Sequence, residues 1–344
     1  MTSLCRHCFR YLCVAFGLAV LFPSASGADA ETQPTEPSFV DLQHDRLSDW
    51  ILRPAEGINR YFREAFTRDE DKESRLIQRF YGDRLSAEEV RGTYITISPI
   101  LTIHEKEDVN VDVDFSARLR LRQIHDRLRI FADSRDPDHD ILEGVFSPQY
   151  RRELEEDERD AGAAGLIYMI TERADRSLSL SSGLRYRRGV SPKIRLRGTL
   201  DYPFAAWNAR VAQSAFWDRQ TGFGEKTELS FRRSFLEIGR FGSTSAATWS
   251  ETSQGVDWGQ FLSCSAHFSP RKSLALKTGI RGHTHPSTVP QQYAIRIPYR
   301  QRIFRDWLFI ELEPGADFLR ENDYRFTPLM NITLDIVLGS FGSD

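Results

Sequence analysis

A membrane-spanning antiparallel β-barrel of 12 to 14 strands, preceded by a short helical segment, is the fold class this sequence predicts. Three observations predict it. Apolar and polar residues alternate with a period of two from about residue 94 to 341. The alternating runs are about 9 to 13 residues long, the length a tilted strand needs to cross a bilayer. Aromatic residues gather at the ends of those runs, on the apolar face.

The composition sets outer limits. The chain has 344 residues, a formal net charge of -3, 40% hydrophobic and 28% charged residues. It holds one long apolar run, at the N-terminus, so a helical membrane protein is excluded. An aromatic content of 12% argues against wholesale disorder. The near-neutral charge gives no whole-chain footprint for nucleic acid.

The first segment, residues 1–27, reads as a secretory signal. Arg6 and Arg10 precede an apolar core from Tyr11 to Phe22, followed by small residues suited to cleavage after Gly27 or Ala30. Cys5, Cys8 and Cys13 would leave with it, so the mature chain would keep Cys264 alone and form no intramolecular disulfide.

Residues 28–90 read as a polar linker and a partly helical module. Leu47, Trp50, Ile51, Ile58, Tyr61, Phe62 and Phe66 recur near i, i+3, i+4 and i+7. Pro54 and Gly57 divide them into two short helices. An amphipathic segment at 41–66 suits either a lumen plug or the docking of a periplasmic partner. It equally suits a helix packed under the barrel mouth.

From about residue 91 to the end the chain reads as the barrel. In the stretch Val109 to Arg122, Val109, Val111, Val113, Phe115, Leu119 and Leu121 form one face. Asn110, Asp112, Asp114, Arg118, Arg120 and Arg122 form the other, since alternate side chains point to opposite sides of a strand. Like patterns recur around Leu180, Leu196, Val211, Leu229, Leu276, Ile295, Ile310 and Leu334. Weaker ones lie at 94–104, 127–133, 163–171, 235–250 and 256–268, for a total of 14.

A soluble barrel turns the apolar face inward, whereas a barrel in lipid turns it outward. Trp207 and Trp217 favour lipid, because they lie ten residues apart on one face of one strand. Ten residues span roughly 33 Å, or roughly 25 Å of height at a tilt of about 40°, which matches the apolar band between two aromatic girdles. Tyr186 and Tyr299 join them as girdle candidates.

The last strand, Asn331 to Phe341 (NITLDIVLGSF), is amphipathic and reaches an aromatic residue. In this the chain resembles Gram-negative outer-membrane β-barrel proteins, whose final strand is read by the barrel assembly machinery. Two features depart from that pattern. Gly342, Ser343 and Asp344 follow the phenylalanine, and Phe341 is out of phase unless a bulge lies near Gly339. The resemblance implies a location in the bacterial outer membrane, with membrane lipid and the assembly machinery as partners. An even strand count then places both chain ends in the periplasm and the acidic 134–161 segment outside.

On this assignment the lumen is rich in charge. Arg118, Arg120, Arg122, Arg185, Arg187, Arg195, Arg197, Arg210, Arg281, Arg296 and Arg300 point inward, with Glu311, Glu313 and Asp335 among the acids facing them. Such a lining either selects solutes by sign or braces the lumen shut with ion pairs. The expected function is a pore or transport-type barrel for small polar or anionic solutes. A non-conducting structural or partner-docking barrel is the alternative, and an outer-membrane lipid hydrolase the third.

Enzyme, metal and cofactor signals are weak. Ser265 and His267 share a face, but nothing supplies the orienting group of a hydrolytic triad. His283 and His285 flank Thr284 without further ligands. Asp136, Asp138 and Asp140 resemble the start of a calcium loop, but Ile141 and Ser147 stand where its glycine and distal glutamate belong. No catalytic residue, metal site or cofactor is therefore assigned.

Overall fold

The computed structural model describes residues 46, 94–104, 109–120, 127–134, 162–173, 175–186, 189–235, 239–269, 271–304 and 307–339. The signal segment, the amphipathic 41–66 module (Arg46 apart), most of the acidic loop, Arg122, Arg187 and Phe341 lie outside them, as does the Arg120 side chain.

The strands are β1 (Tyr94–His104), β2 (Asn110–Arg120), β3 (Leu128–Asp133), β4 (Gly162–Glu172), β5 (Arg176–Tyr186), β6 (Val190–Phe204) and β7 (Trp207–Asp218). They continue as β8 (Gly222–Phe235), β9 (Gly239–Ser250), β10 (Val256–Ser269), β11 (Lys272–His283), β12 (Pro290–Arg296), β13 (Tyr299–Arg302), β14 (Leu308–Leu319) and β15 (Phe326–Gly339). Each pairs antiparallel with its sequence neighbour, and β1 pairs with β15 from Tyr94↔Gly339 to His104↔Leu329. The β10–β11 ladder completes the ring, so the sheet has no free edge.

β12 and β13 are two parts of one staircase, since both lie between β11 and β14. Pro298 separates them because it has no N–H to give the ladder. The neighbouring bonds persist: Ala275 N–H donates to Pro298 O at 2.9 Å and Ile297 N–H to Pro314 O at 2.9 Å. The 15 segments therefore make a closed barrel of 14 strands.

The period-two sequence sorts its faces as a barrel in lipid requires. Val109, Val111 and Val113 are 59%, 66% and 59% exposed, whereas Arg118 on the opposite face is 8% exposed. On β6, Ile194, Leu196 and Leu200 are exposed while Ser191, Arg195 and Arg197 are buried. Buried arginine beside exposed leucine inverts a soluble core and belongs to a wall with hydrocarbon outside.

Even strand number brings the start of β1 and the end of β15 to the same mouth, called here the near mouth. It is rimmed outside by Tyr202 and Phe204, stacked at 6.5 Å, and by Trp207 edge-on to Phe241 at 6.0 Å. Arg233 lies over the Trp207 ring at 5.5 Å. Around the far mouth stand Tyr186, Trp217 and Trp249, with the edge-on pairs Tyr293–Tyr324 and Phe318–Phe326 at 5.5 and 5.8 Å. Trp207 and Trp217 are thus at the two ends of β7.

Candidate functional site: the charged inner wall

The inner wall is built by the inward half of each alternation, so its charges come in rows along the strands. β6 presents Lys193, Arg195 and Arg197 in succession, in phase with buried Ser191. β14 presents Glu311, Glu313 and Asp317, with Asp317 fully buried.

Ion pairs tie these rows together. On one side Arg118 meets Asp133 at 2.6 Å and Arg129 holds Glu172 at 3.0 Å. Arg197 meets Glu228 at 2.6 Å, and Lys226 holds the other oxygen of that carboxylate at 3.1 Å. Arg185 lies 3.7 Å from Asp218, whose Oδ1 also accepts the backbone N–H of Gln220 and Thr221 at 2.7 and 2.8 Å. Arg210 grips Asp201 through two nitrogens at 2.8 and 2.9 Å, and the two residues are register partners on β6 and β7.

On the other side Arg296 contacts both oxygens of Asp317 at 2.7 and 2.9 Å, and Gln292 donates to the same carboxylate at 3.0 Å. Below it Arg300 reaches Asp335 at 2.7 Å and Glu311 at 3.6 Å, over the ring of Phe309. Ser98 of β1 donates to Asp335 at 2.5 Å. Glu313 accepts from Asn331 at 3.0 Å.

These pairs run along the wall. Apart from Lys226 and Glu228, which share β8, each described pair joins strands that are adjacent in the ring or separated by one strand, as β5–β7 and β6–β8 are. With a strand spacing of about 4.8 Å and a tilt of about 40°, 14 strands set the backbone at a radius of about 14 Å.

Among the residues predicted to line the lumen, Arg118, Arg185, Arg195, Arg197, Arg296 and Asp335 are buried. Arg210, Arg281, Arg300, Glu311 and Glu313 are half-buried. Of the girdle candidates, Tyr186 and Trp217 are exposed and Trp207 half-buried at strand ends. Tyr299 opens β13, opposite Leu312, and donates its hydroxyl to Gln301 at 2.8 Å. His283 closes β11 and faces Asp257 at 2.9 Å. Among the described residues no three side chains of metal-ligating type converge.

Sequence reasoning missed several partners. Asp317 follows Pro314 and Gly315, which interrupt the alternation of β14. Asp133 and Arg129 lie on the six-residue β3, too short to show its period. The apolar inner patch of Phe131, Ala163, Ile167 and Met169 was missed because both faces of β4 are apolar. There Gly165 stands opposite Gly183, and a Cβ on Gly165 would lie 2.3 Å from Ser182 O. The two strands approach closely because neither residue has a side chain.

No family model matches the chain, and no curated protein matches it. Solved structures do. Outer-membrane-expressed OmpT of Vibrio cholerae is 9% identical with a TM-score of 0.43, covering 71% of this chain and 96% of that one. OccK10 (OpdN) of Pseudomonas aeruginosa is 8% identical with a TM-score of 0.43, covering 72% and 98%. The KdgM porin is 7% identical with a TM-score of 0.35, covering 70% and 98%. Its closed wall, apolar outside and charged inside make this chain a membrane-spanning β-barrel of the outer-membrane type.

Proposed function

We propose that the protein is a diffusion channel for small polar solutes, with a preference for anions. The observation that carries this reading is the tangential course of the ion pairs. A lumen braced shut by its own wall would need pairs that cross it, whereas among the described pairs Arg185–Asp218, Arg197–Glu228 and Arg296–Asp317 each stay within three consecutive strands. The anion preference follows from the run of cations on β6 in a confined, low-dielectric passage.

Single-channel recording in planar bilayers tests it. Stepwise conductance with a reversal potential of anionic sign in a salt gradient is expected. A correctly folded barrel that passes no current would overturn the reading in favour of a structural or docking barrel.

A further inference from the structure

The charges of the barrel are divided by height. The described turn residues of the near mouth, with the four strand residues on either side of each turn, hold thirteen lysines and arginines with described side chains. Four carboxylates stand among them: Glu172, Asp175, Asp201 and Glu311. The same zone at the far mouth holds six lysines and arginines against eight carboxylates. Asp133 ends the short β3 but is set apart from that zone, because its register partner Ser116 lies in the interior of β2.

The near-mouth cations go round the ring. Arg118, Arg129, Arg210, Arg232, Arg240 and Arg300 stand on six different strands. β2 shows the division within a single strand, with Asp112 and Asp114 toward the far mouth and Arg118 toward the near one. Ion pairs do not remove the excess. Arg129 has Glu172, Arg210 has Asp201, and Arg118 and Arg300 reach Asp133 and Asp335. The carboxylates of the mouth remain too few to balance its other cations, of which Arg173, Arg232 and Arg271 are exposed.

We infer that the pore rectifies: it passes more current when the near side is negative, so that anions enter by the near mouth and cations by the far one. This inference rests on the channel reading above. A basic mouth gathers anions and an acidic mouth gathers cations. With the near side negative, each mouth feeds in the ion it already concentrates, and carriers accumulate in the passage. With the field reversed, each mouth is offered the ion it repels, and the passage is depleted. The asymmetry is electrostatic, so it fades when salt shortens the Debye length below the width of the mouth.

Current–voltage curves of single channels in planar bilayers test it. The orientation of each channel is read from Ser234→Cys in a Cys264→Ser background, since Ser234 is exposed near the near-mouth end of β8. A charged thiol reagent that cannot the bilayer reaches it faster from the near side. At equal and opposite voltages in about 0.1 M salt, the current should be larger with the near side negative, by roughly 1.5-fold or more. The ratio should approach one in about 1 M salt. The triple change Arg173→Glu, Arg232→Glu and Arg271→Glu should lower it, and so should Asp257→Lys with Glu321→Lys at the far mouth. Equal currents in low salt overturn the inference while leaving the channel intact. So do a larger current with the near side positive, a ratio that salt leaves unchanged, and a ratio that neither variant moves. No current at either voltage overturns the channel reading and this inference with it. The wild-type salt series decides even where a variant fails to assemble.

Discussion

Gly315 lies directly across the ladder from Arg296, and its missing side chain is what lets that arginine lie flat against the wall. A Cβ at this position would stand 2.5 Å from Arg296 Cδ and 2.6 Å from Ile295 O. Neither contact is possible, and the second is with backbone. Gly315→Ala is therefore expected to destabilise the barrel by about 1–3 kcal/mol, the usual cost of overpacking. The midpoint of the heat-induced gel shift, or of thermal loss of β signal, reads it. An unchanged midpoint would show that β12 and β14 can separate without cost.

The Arg296–Asp317 pair is nearly or fully buried on both sides. Asp317→Asn leaves a guanidinium in a dry site with one weakened partner, and removal of one member of a buried pair costs about 3–5 kcal/mol. The double change Arg296→Met with Asp317→Leu should recover most of that loss. A double mutant as unstable as the single would mean the pair holds more of the wall than its own contact.

Face assignment gives a contrast. Arginine at Leu196 or Ile310 would face hydrocarbon and should cost about 2–4 kcal/mol near the midplane. Glu311→Gln should be mild, because Glu311 is part-exposed and its nitrogen partner is 3.6 Å away. Arg296→Gln should not be mild, since it leaves fully buried Asp317 without its guanidinium, and Arg197→Gln should fall between, because Lys226 still holds Glu228. Ranking the five variants by unfolding midpoint in detergent checks the order.

Ion selectivity should depend on salt. If the β6 row sets it, the anion preference weakens as the Debye length falls from about 10 Å at 0.1 M to about 3 Å at 1 M. Lys193→Gln with Arg195→Gln should reduce or invert the preference at 0.1 M. A cation-selective wild-type channel would contradict the assignment.

The turn between β6 and β7 has two residues, and Ala205 takes a left-handed φ of 49° there. A Cβ in that region is disfavoured, so Ala205→Gly is expected to stabilise by about 1 kcal/mol. A lowered unfolding midpoint would show that the unfolded-state entropy of glycine outweighs the relief.

Much of this wall was legible in the chain because one fact repeats: a two-residue period puts every second side chain in lipid. Strand number, the outward valines of β2 and the placement of Trp207 and Trp217 all follow from it. What stayed hidden depends on neighbours rather than on period. That Arg185 would reach Asp218, two strands away, is set by register and stagger. β4 carried only a weak alternation, because Ile167 and Met169 face inward while Leu166 and Tyr168 face outward. The Ala205 turn gave no signal because it lacks the glycine or asparagine such turns usually use.

The pairs that skip a strand carry a consequence for how the barrel is made. Arg185 cannot meet Asp218 until the strand between them and the next one are both in place, and Arg197 waits in the same way for Glu228. Arg210 and Asp201 meet within the β6–β7 hairpin, but the Arg185–Asp218 and Arg197–Glu228 contacts each need three successive strands. At the seam the dependence spans the whole chain. Asp335 on the last strand takes Arg300 from two strands back and Ser98 from the first strand, residues 237 positions apart. That joint can form only when the ring closes, so ring closure is the event that satisfies it.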